Sequence, residues 1–212
     1  MPGKSPRQNR VTPEGEIIIH SARGLFMGNR GCLHDNDGQL GRARWRSTTW
    51  IVCRLEFKGR RREIMAPGRY TELFFLDEAV ALTAGHRPCA ECRHEDYKRF
   101  VAGWAEGHSS SLPTSKEMDR VLHESRIDRV AKRQRTFRAE ARHLPDGVFI
   151  RSQDTAVPHL VLGDRLIPFE DYAYGHPIPR PPDEKVDVLT PAPTVAAMRA
   201  GYTPRLHESV LN

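Results

Sequence analysis

The segment Gly85-His86-Arg87-Pro88-Cys89-Ala90-Glu91-Cys92 constrains this chain more than any other stretch of it. Two thiols at a Cys-x-x-Cys spacing can share one tetrahedral metal ion. Pro88 stiffens the turn, and backbone amides are placed to hydrogen-bond the sulfurs. Only four cysteines occur among 212 residues, and the first ten residues lack the apolar core of a signal peptide. Metal or redox chemistry is therefore favoured over a disulfide framework. Redox motifs of the thioredoxin kind open a helix directly after a strand, whereas here a helical pattern precedes the pair, which favours a metal. One pair supplies half a site, so further ligands have to come from elsewhere in the chain.

Composition bounds the rest. Apolar residues make up 38% of the chain, an ordinary globular value once its 16 glycines are added, so a packed core is expected. No run approaches the roughly 20 apolar residues of a membrane span, and a soluble, cytoplasmic protein of bacterial type is the expectation. The formal charge is +6, and only six of the 33 basic residues are Lys. The excess lies in two blocks, residues 1–62 and 111–145. Guanidinium groups bind phosphate oxygens with paired hydrogen bonds, so Arg-rich blocks suit nucleic acid, although a solvated, ion-paired surface gives the same composition.

The pattern along the chain is mixed α+β. Residues 1–15 are polar and read as a flexible tail. Strands are expected at Glu16 to His20, Leu25 to Met27, Trp50 to Phe57, Arg61 to Met65 and Glu72 to Leu76. Alternation in the third of these places Cys53 with Ile51, Leu55 and Phe57 on an inward face. Asp77 is an N-cap for a short helix over Glu78 to Ala84 that Gly85 ends. Tyr97, Phe100, Val101 and Trp104 form the apolar stripe of a second helix. Thr114 and Glu117 make a capping box for a third, with Arg126 to Arg142 read as its continuation or a further helix. Short strands follow at Val148 to Arg151, His159 to Leu162, Leu166 to Phe169 and Val186 to Leu189, then a helix over Thr194 to Ala200. Three units are expected after the tail: a zinc-binding domain over 16–107, a basic helical segment over 108–145, and a small β-rich domain over 146–212.

From Phe74 to Arg93 the chain resembles the second half of the Ada-type zinc-binding domain, the metal-binding module of a bacterial DNA-alkylation repair protein. The shared pattern is an apolar strand, a short helix, then Ala-Gly-aromatic-Arg-Pro-Cys-x-x-Cys-Arg, here Ala84 to Arg93 with His86 at the aromatic position. Leu25 to His34 is similar to the strand, turn and first ligand of members that begin with His. The resemblance implies a Zn2+ ion held by Cys89, Cys92 and His34. The family's next ligand falls on Gly38, and the stretch before Cys89 is far longer than in the family. Cys53, brought by the additional strand, is favoured as the fourth ligand, with Cys32 as its rival. The methyl-accepting thiolate of the repair protein lies in the first ligand pair, so that activity does not carry over to His34 and Gly38.

These readings converge on a zinc-containing nucleic-acid-binding protein in DNA repair or processing, DNA favoured over RNA. Its phosphate contacts are expected from Arg30, Arg42, Arg44, Arg46, Arg54, Arg60, Arg61, Arg62, Arg129 and Arg133. Trp45 and Trp50 interleave with these and suit either base stacking or a partly buried core. An alternative is a metal-supported nuclease or DNA-repair enzyme using His34, Asp35, Asp37 and Glu72, against simple turn chemistry for Asp35-Asn36-Asp37-Gly38. A further alternative is a zinc-stabilised protein-interaction adaptor.

Overall fold

The computed structural model describes residues 5–60, 63–128, 130–131, 133–152 and 155–211. Its strands are β1 (Gln8–Val11), β2 (Ile17–Ile19), β3 (Phe26–Asn29), β4 (Ile51–Arg54), β5 (Leu73–Phe75), β6 (Arg87–Pro88), β7 (Ile127–Asp128), β8 (Arg133–Gln134), β9 (Phe137–Glu140), β10 (Phe149–Arg151), β11 (His159–Leu162), β12 (Arg165–Glu170), β13 (Ala173–Tyr174), β14 (Ile178–Pro179) and β15 (Lys185–Val188). The helices are α1 (Glu78–Thr83), α2 (His94–Gly107), α3 (Ser115–Arg126) and α4 (Ala192–Arg199). Mixed α+β is thus the fold class. Among the described residues no helix is long and apolar enough to cross a membrane.

Two sheets carry the architecture. The first has the order β2-β1-β5-β3-β4-β6, and the second β13-β12-β11-β10-β15-β9 with β14 also on β12. Val148-Phe149-Ile150 and Leu160-Val161 are uninterrupted apolar runs, the signature of a sheet buried on both faces. Alternate side chains take opposite sides. Phe149, Leu160, Ile167 and Phe169 join Val11, Phe26, Val52, Leu73 and Phe75 of the first sheet in one apolar cluster. Val148, Ile150, Val161 and Leu166 join Phe100 and Trp104 of α2, Met118 and Leu122 of α3 and Val195 of α4 in another. The order is sheet, sheet, helices, and both clusters draw residues from either side of the boundaries expected near 107 and 145.

Several local expectations hold. Asp77 caps α1, its Oδ1 accepting the Val80 N–H at 2.9 Å. Gly85 follows at φ +86°, a backbone region that disfavours a side chain, and a Cβ there would lie 2.4 Å from Cδ of Arg126. The capping box of Thr114 and Glu117 opens α3. Phe100 and Trp104 are buried.

Others are corrected. The expected tail contains β1, which pairs with β2 and β5 and buries Asn9 and Val11; its polar composition conceals a strand whose inward face has only two residues. Only β4 forms from the expected hairpin, and residues 63–65 make no strand. Both edges of β4 are already taken, by β3 and β6. Arg61 and Arg62 lie outside the described residues. Beyond Arg126 the chain leaves the helix for the hairpin β7-β8 and then for β9, which pairs with β15. Basic residues spread around a projected helix give it no apolar face to bury, and the sheet edge offers one to Phe137 and Ala139 instead.

His86 is packed where the family pattern has an aromatic. Its ring is fully buried, 4.7 Å from that of Phe75 and 5.3 Å from that of Trp50. Burial, with Arg30 and Arg126 beside it, holds the imidazole well below its usual 6.5. The folded state therefore keeps His86 neutral while the unfolded chain takes a proton below about pH 6.5. This contribution to stability is complete above that pH and is lost as pH falls, by up to about 1.4 kcal/mol per pH unit. Denaturant unfolding between pH 7 and 5 should show that slope in the wild type and a shallower one in His86→Phe; equal slopes would contradict it.

Candidate metal centre

Chain pairing assembles the site from two elements. In β4, Val52 points into the core between the sheets, so Cys53 projects from the opposite face and is half-buried. The sequence expectation of an inward Cys53 is thereby inverted, because Val52 is the residue whose side chain the core takes. The short strand β6 lies parallel to β4, with Ile51 opposite Arg87 and Val52 opposite Pro88. The Cys89 N–H donates to the Val52 carbonyl at 3.0 Å, which sets Cys89 beside Cys53. The chain then turns, the Arg93 N–H donating to the Cys89 carbonyl at 3.1 Å, and Cys92 comes back to the same point before α2 begins.

The three sulfurs lie within 4.8 Å of one another, and Cys89 and Cys92 are each 8% exposed. The Cys53 and Cys92 thiols, with the amides of Cys92 and Glu91, hydrogen-bond the Cys89 sulfur and hold its pKa far below the ordinary thiol range. Cys53 is pushed far upward, chiefly by its hydrogen bonds to Cys89 and Cys92 and then by burial. The Arg54 amide adds a hydrogen bond to the Cys92 sulfur. Three thiols in such proximity cannot all ionise on their own, since each thiolate raises the cost of the next; a cation among them removes that cost. Soft sulfur donors, amide hydrogen bonds to sulfur and partial burial together fit a bound metal ion.

Around the sulfurs is a cleft of about 260 Å³, lined by Asn29, Arg54, Phe57, Arg60, Tyr70 and Glu91. Arg60 pairs with Glu91 at 2.6 Å across an exposed edge. Inside, the turn is tied down by charge. Arg93, 2% exposed, binds Glu78 and Asp96 at 2.8 Å each and lies over the ring of Phe26. Arg87 makes a bidentate pair with Asp119 of α3, both bonds 2.8 Å.

Of the four expected ligands, Cys53, Cys89 and Cys92 meet in one group and His34 does not. His34 is not in the cluster: its Nδ1 is 2.6 Å from the Thr71 hydroxyl and its Nε2 3.2 Å from the Ala66 carbonyl oxygen. These bonds hold it in the loop that His34 and Leu40 close as a β-bridge. Cys32 is exposed, its thiol directed to the His34 carbonyl, and also lies outside the cluster. Among the described residues no fourth His, Cys, Asp or Glu joins the three thiols.

The arginines separate into different environments. Arg42, Arg44, Arg46, Arg54, Arg60 and Arg133 are exposed, whereas Arg129 lies outside the described residues together with Arg61 and Arg62. Arg30 stands apart from these: it is 2% exposed, with its guanidinium 4.2 Å from the Trp50 ring centre. Trp50 is buried and Trp45 half-buried. Asp35 accepts the N–H groups of Asp37 and Gln39, as turn chemistry requires, and Glu72 is buried, accepting the Met65 N–H. These carboxylates and His34 form no metal-binding group among the described residues. Tyr70 in the cleft and the buried Arg30 and Arg126 carry no recognisable sequence signal.

Comparison of the chain with protein-family models, with curated proteins and with solved structures finds no match in any of the three. What fold and site define is an α+β protein of two stacked sheets and a helical layer, with a three-cysteine group able to hold a metal ion between β4 and the turn after β6.

Proposed function

We propose that the chain is a zinc-thiolate protein that binds nucleic acid, DNA in preference to RNA, in DNA repair or processing. The observation that supports it is the meeting of Cys53, Cys89 and Cys92 in a cleft with Arg54 and Arg60 at its mouth. Zinc suits a set of soft thiolate donors, and Cys53, Cys89 and Cys92 are the residues that would hold it. The chemistry zinc supplies there is to keep sulfur ionised near neutral pH. The resemblance to the Ada-type domain, with Cys89 and Cys92 as its second ligand pair, points the same way. Unpaired thiols in this number suit a reducing compartment, hence the cytoplasm. Exposed Arg42, Arg44, Arg46 and Arg54 supply sequence-independent attraction to phosphates. A nuclease built on His34, Asp35, Asp37 and Glu72 loses support, since the side chains of His34, Asp35 and Glu72 are hydrogen-bonded within the fold and the four form no metal-binding group among the described residues.

Fluorescence anisotropy with labelled duplex and single-stranded DNA over a salt series tests this. Binding should weaken steeply with salt, and Arg42, Arg44 and Arg46 changed together to Gln should reduce the slope by roughly one for each phosphate no longer neutralised. Absence of DNA binding with zinc in place would contradict the nucleic-acid reading and favour the adaptor.

A further inference from the structure

A second site is built around Trp50, between the β3 end, the turn from β1 to β2 and the β7-β8 hairpin. Arg30 and Arg126 are 2% and 1% exposed, and their guanidinium carbons lie 4.2 and 3.6 Å from the Trp50 ring centre. Neither has a carboxylate partner among the described residues. Arg30 donates to the Gly15 carbonyl and faces His86 Nε2 at 3.5 Å, leaving Nη2 without an acceptor. Arg126 donates to the carbonyls of Gly85 and Thr48 and meets His123 Nδ1, leaving Nε without one.

Guanidinium is the one basic side chain that does not escape burial by losing its proton under ordinary conditions. Two of them with unsatisfied donors in one core are costly, since each buried ion requires compensation. Both line a narrow cleft of about 40 Å³, the room of a small ion, whose other walls include Arg44, Arg133, Trp45 and Gln134. Gln134 holds its Oε1 without a partner while its Nε2 ties three carbonyls together. Glu14 and Glu16 also border the cleft; Glu14 is bonded to Arg151 and Glu16 is exposed. Four guanidinium groups and two carboxylates border the cleft, so positive charge exceeds negative along its walls.

We propose that this cleft is an oxyanion pocket that takes one phosphate-sized group, with Arg30 and Arg126 as its buried donors and Arg44 and Arg133 at its rim. The pocket is separate from the cysteine cleft and does not depend on the function proposed above, because free phosphate and the terminal phosphate of a nucleic-acid strand share the required chemistry.

The test is a titration of the full chain with inorganic phosphate at constant ionic strength, against chloride, read by tryptophan emission and by the thermal midpoint. A saturable, phosphate-specific change is expected, weakened roughly tenfold in the rim variant Arg44→Gln/Arg133→Gln. That variant alters exposed side chains and should fold even if Arg126→Met does not. No saturable response in the wild type, or an undiminished one in the rim variant, would overturn the pocket. A second arm compares 5′-phosphorylated with 5′-hydroxyl oligonucleotides. Where phosphate binds, tighter binding of the phosphorylated strand that free phosphate competes away assigns the strand end, and equal binding assigns the free ion; either result upholds the pocket.

Discussion

Cys89→Ser is expected to give a chain that retains no stoichiometric metal and unfolds well below the wild type. Its sulfur is the centre of the group, meeting both Cys53 and Cys92 and receiving two backbone amides. Replacing it by a hydroxyl removes a soft donor and leaves two ligands, too few for a structural ion. The free energy of metal binding is then lost from folding. Structural zinc supplies about 10–16 kcal/mol where no preformed site exists. Here two apolar clusters, one between the sheets and one between the second sheet and the helices, hold the fold together besides the metal, so a smaller part, about 5 kcal/mol, is expected. That corresponds to a fall of roughly 10–20 °C in Tm for a chain of this size. Differential scanning calorimetry of wild type and variant, with and without chelator, checks it. Chelator should bring the wild type down to the variant and leave the variant unmoved. A chelator-insensitive wild type would show that the thiols are packing groups.

The second large effect is expected at Asp119, which no sequence pattern marks. Arg87 and Asp119 are 4% and 7% exposed, and the two 2.8 Å bonds between them join the residue two before Cys89 to α3. Asp119→Ala strands the Arg87 charge in the interior, where among the described residues the Pro88 carbonyl is its remaining hydrogen-bond partner. Removing one member of a buried pair costs about 3–5 kcal/mol, whereas replacing both by apolar groups of like volume is often near neutral. Urea unfolding should therefore show a large loss for Asp119→Ala and recovery of most of it in Arg87→Met/Asp119→Leu. Equal losses in the single and double variants would mean that the pair contributes specifically to stability, beyond satisfying Arg87. Because β6 places Cys89, the single variant should also weaken metal retention.

What is legible in the sequence is local. Asp77 as a cap, Gly85 as a stop, Thr114 with Glu117, and the stripe of Phe100 and Trp104 each depend on residues within one turn or two of each other, and each is found. The Cys89 and Cys92 pair belongs to the same class. Counting donors leads to Cys53, and its partnership holds although the face assigned to it is inverted. Alternation alone does not say which face of β4 the core takes; that is decided by Phe75, Phe26 and the second sheet packing onto Val52. His34 leaves the ligand set for a long-range reason, since Thr71 and Ala66, far along the chain, hold it in another loop. The strand in the expected tail and the strands after Arg126 are hidden likewise, because their hydrogen-bond partners lie in distant parts of the chain. Arg30 and Arg126 look like surface cations because composition counts charges without showing which are enclosed.

The central claim, one metal ion on three thiols, is tested most directly by native mass spectrometry of the freshly purified reduced chain beside its Cys53→Ser, Cys92→Ser, His34→Ala and Cys32→Ser variants. One zinc per chain is expected in the wild type, retained in His34→Ala and Cys32→Ser and lost in Cys53→Ser and Cys92→Ser. A wild type without metal, or zinc that survives removal of Cys53 and leaves with His34, would contradict the account.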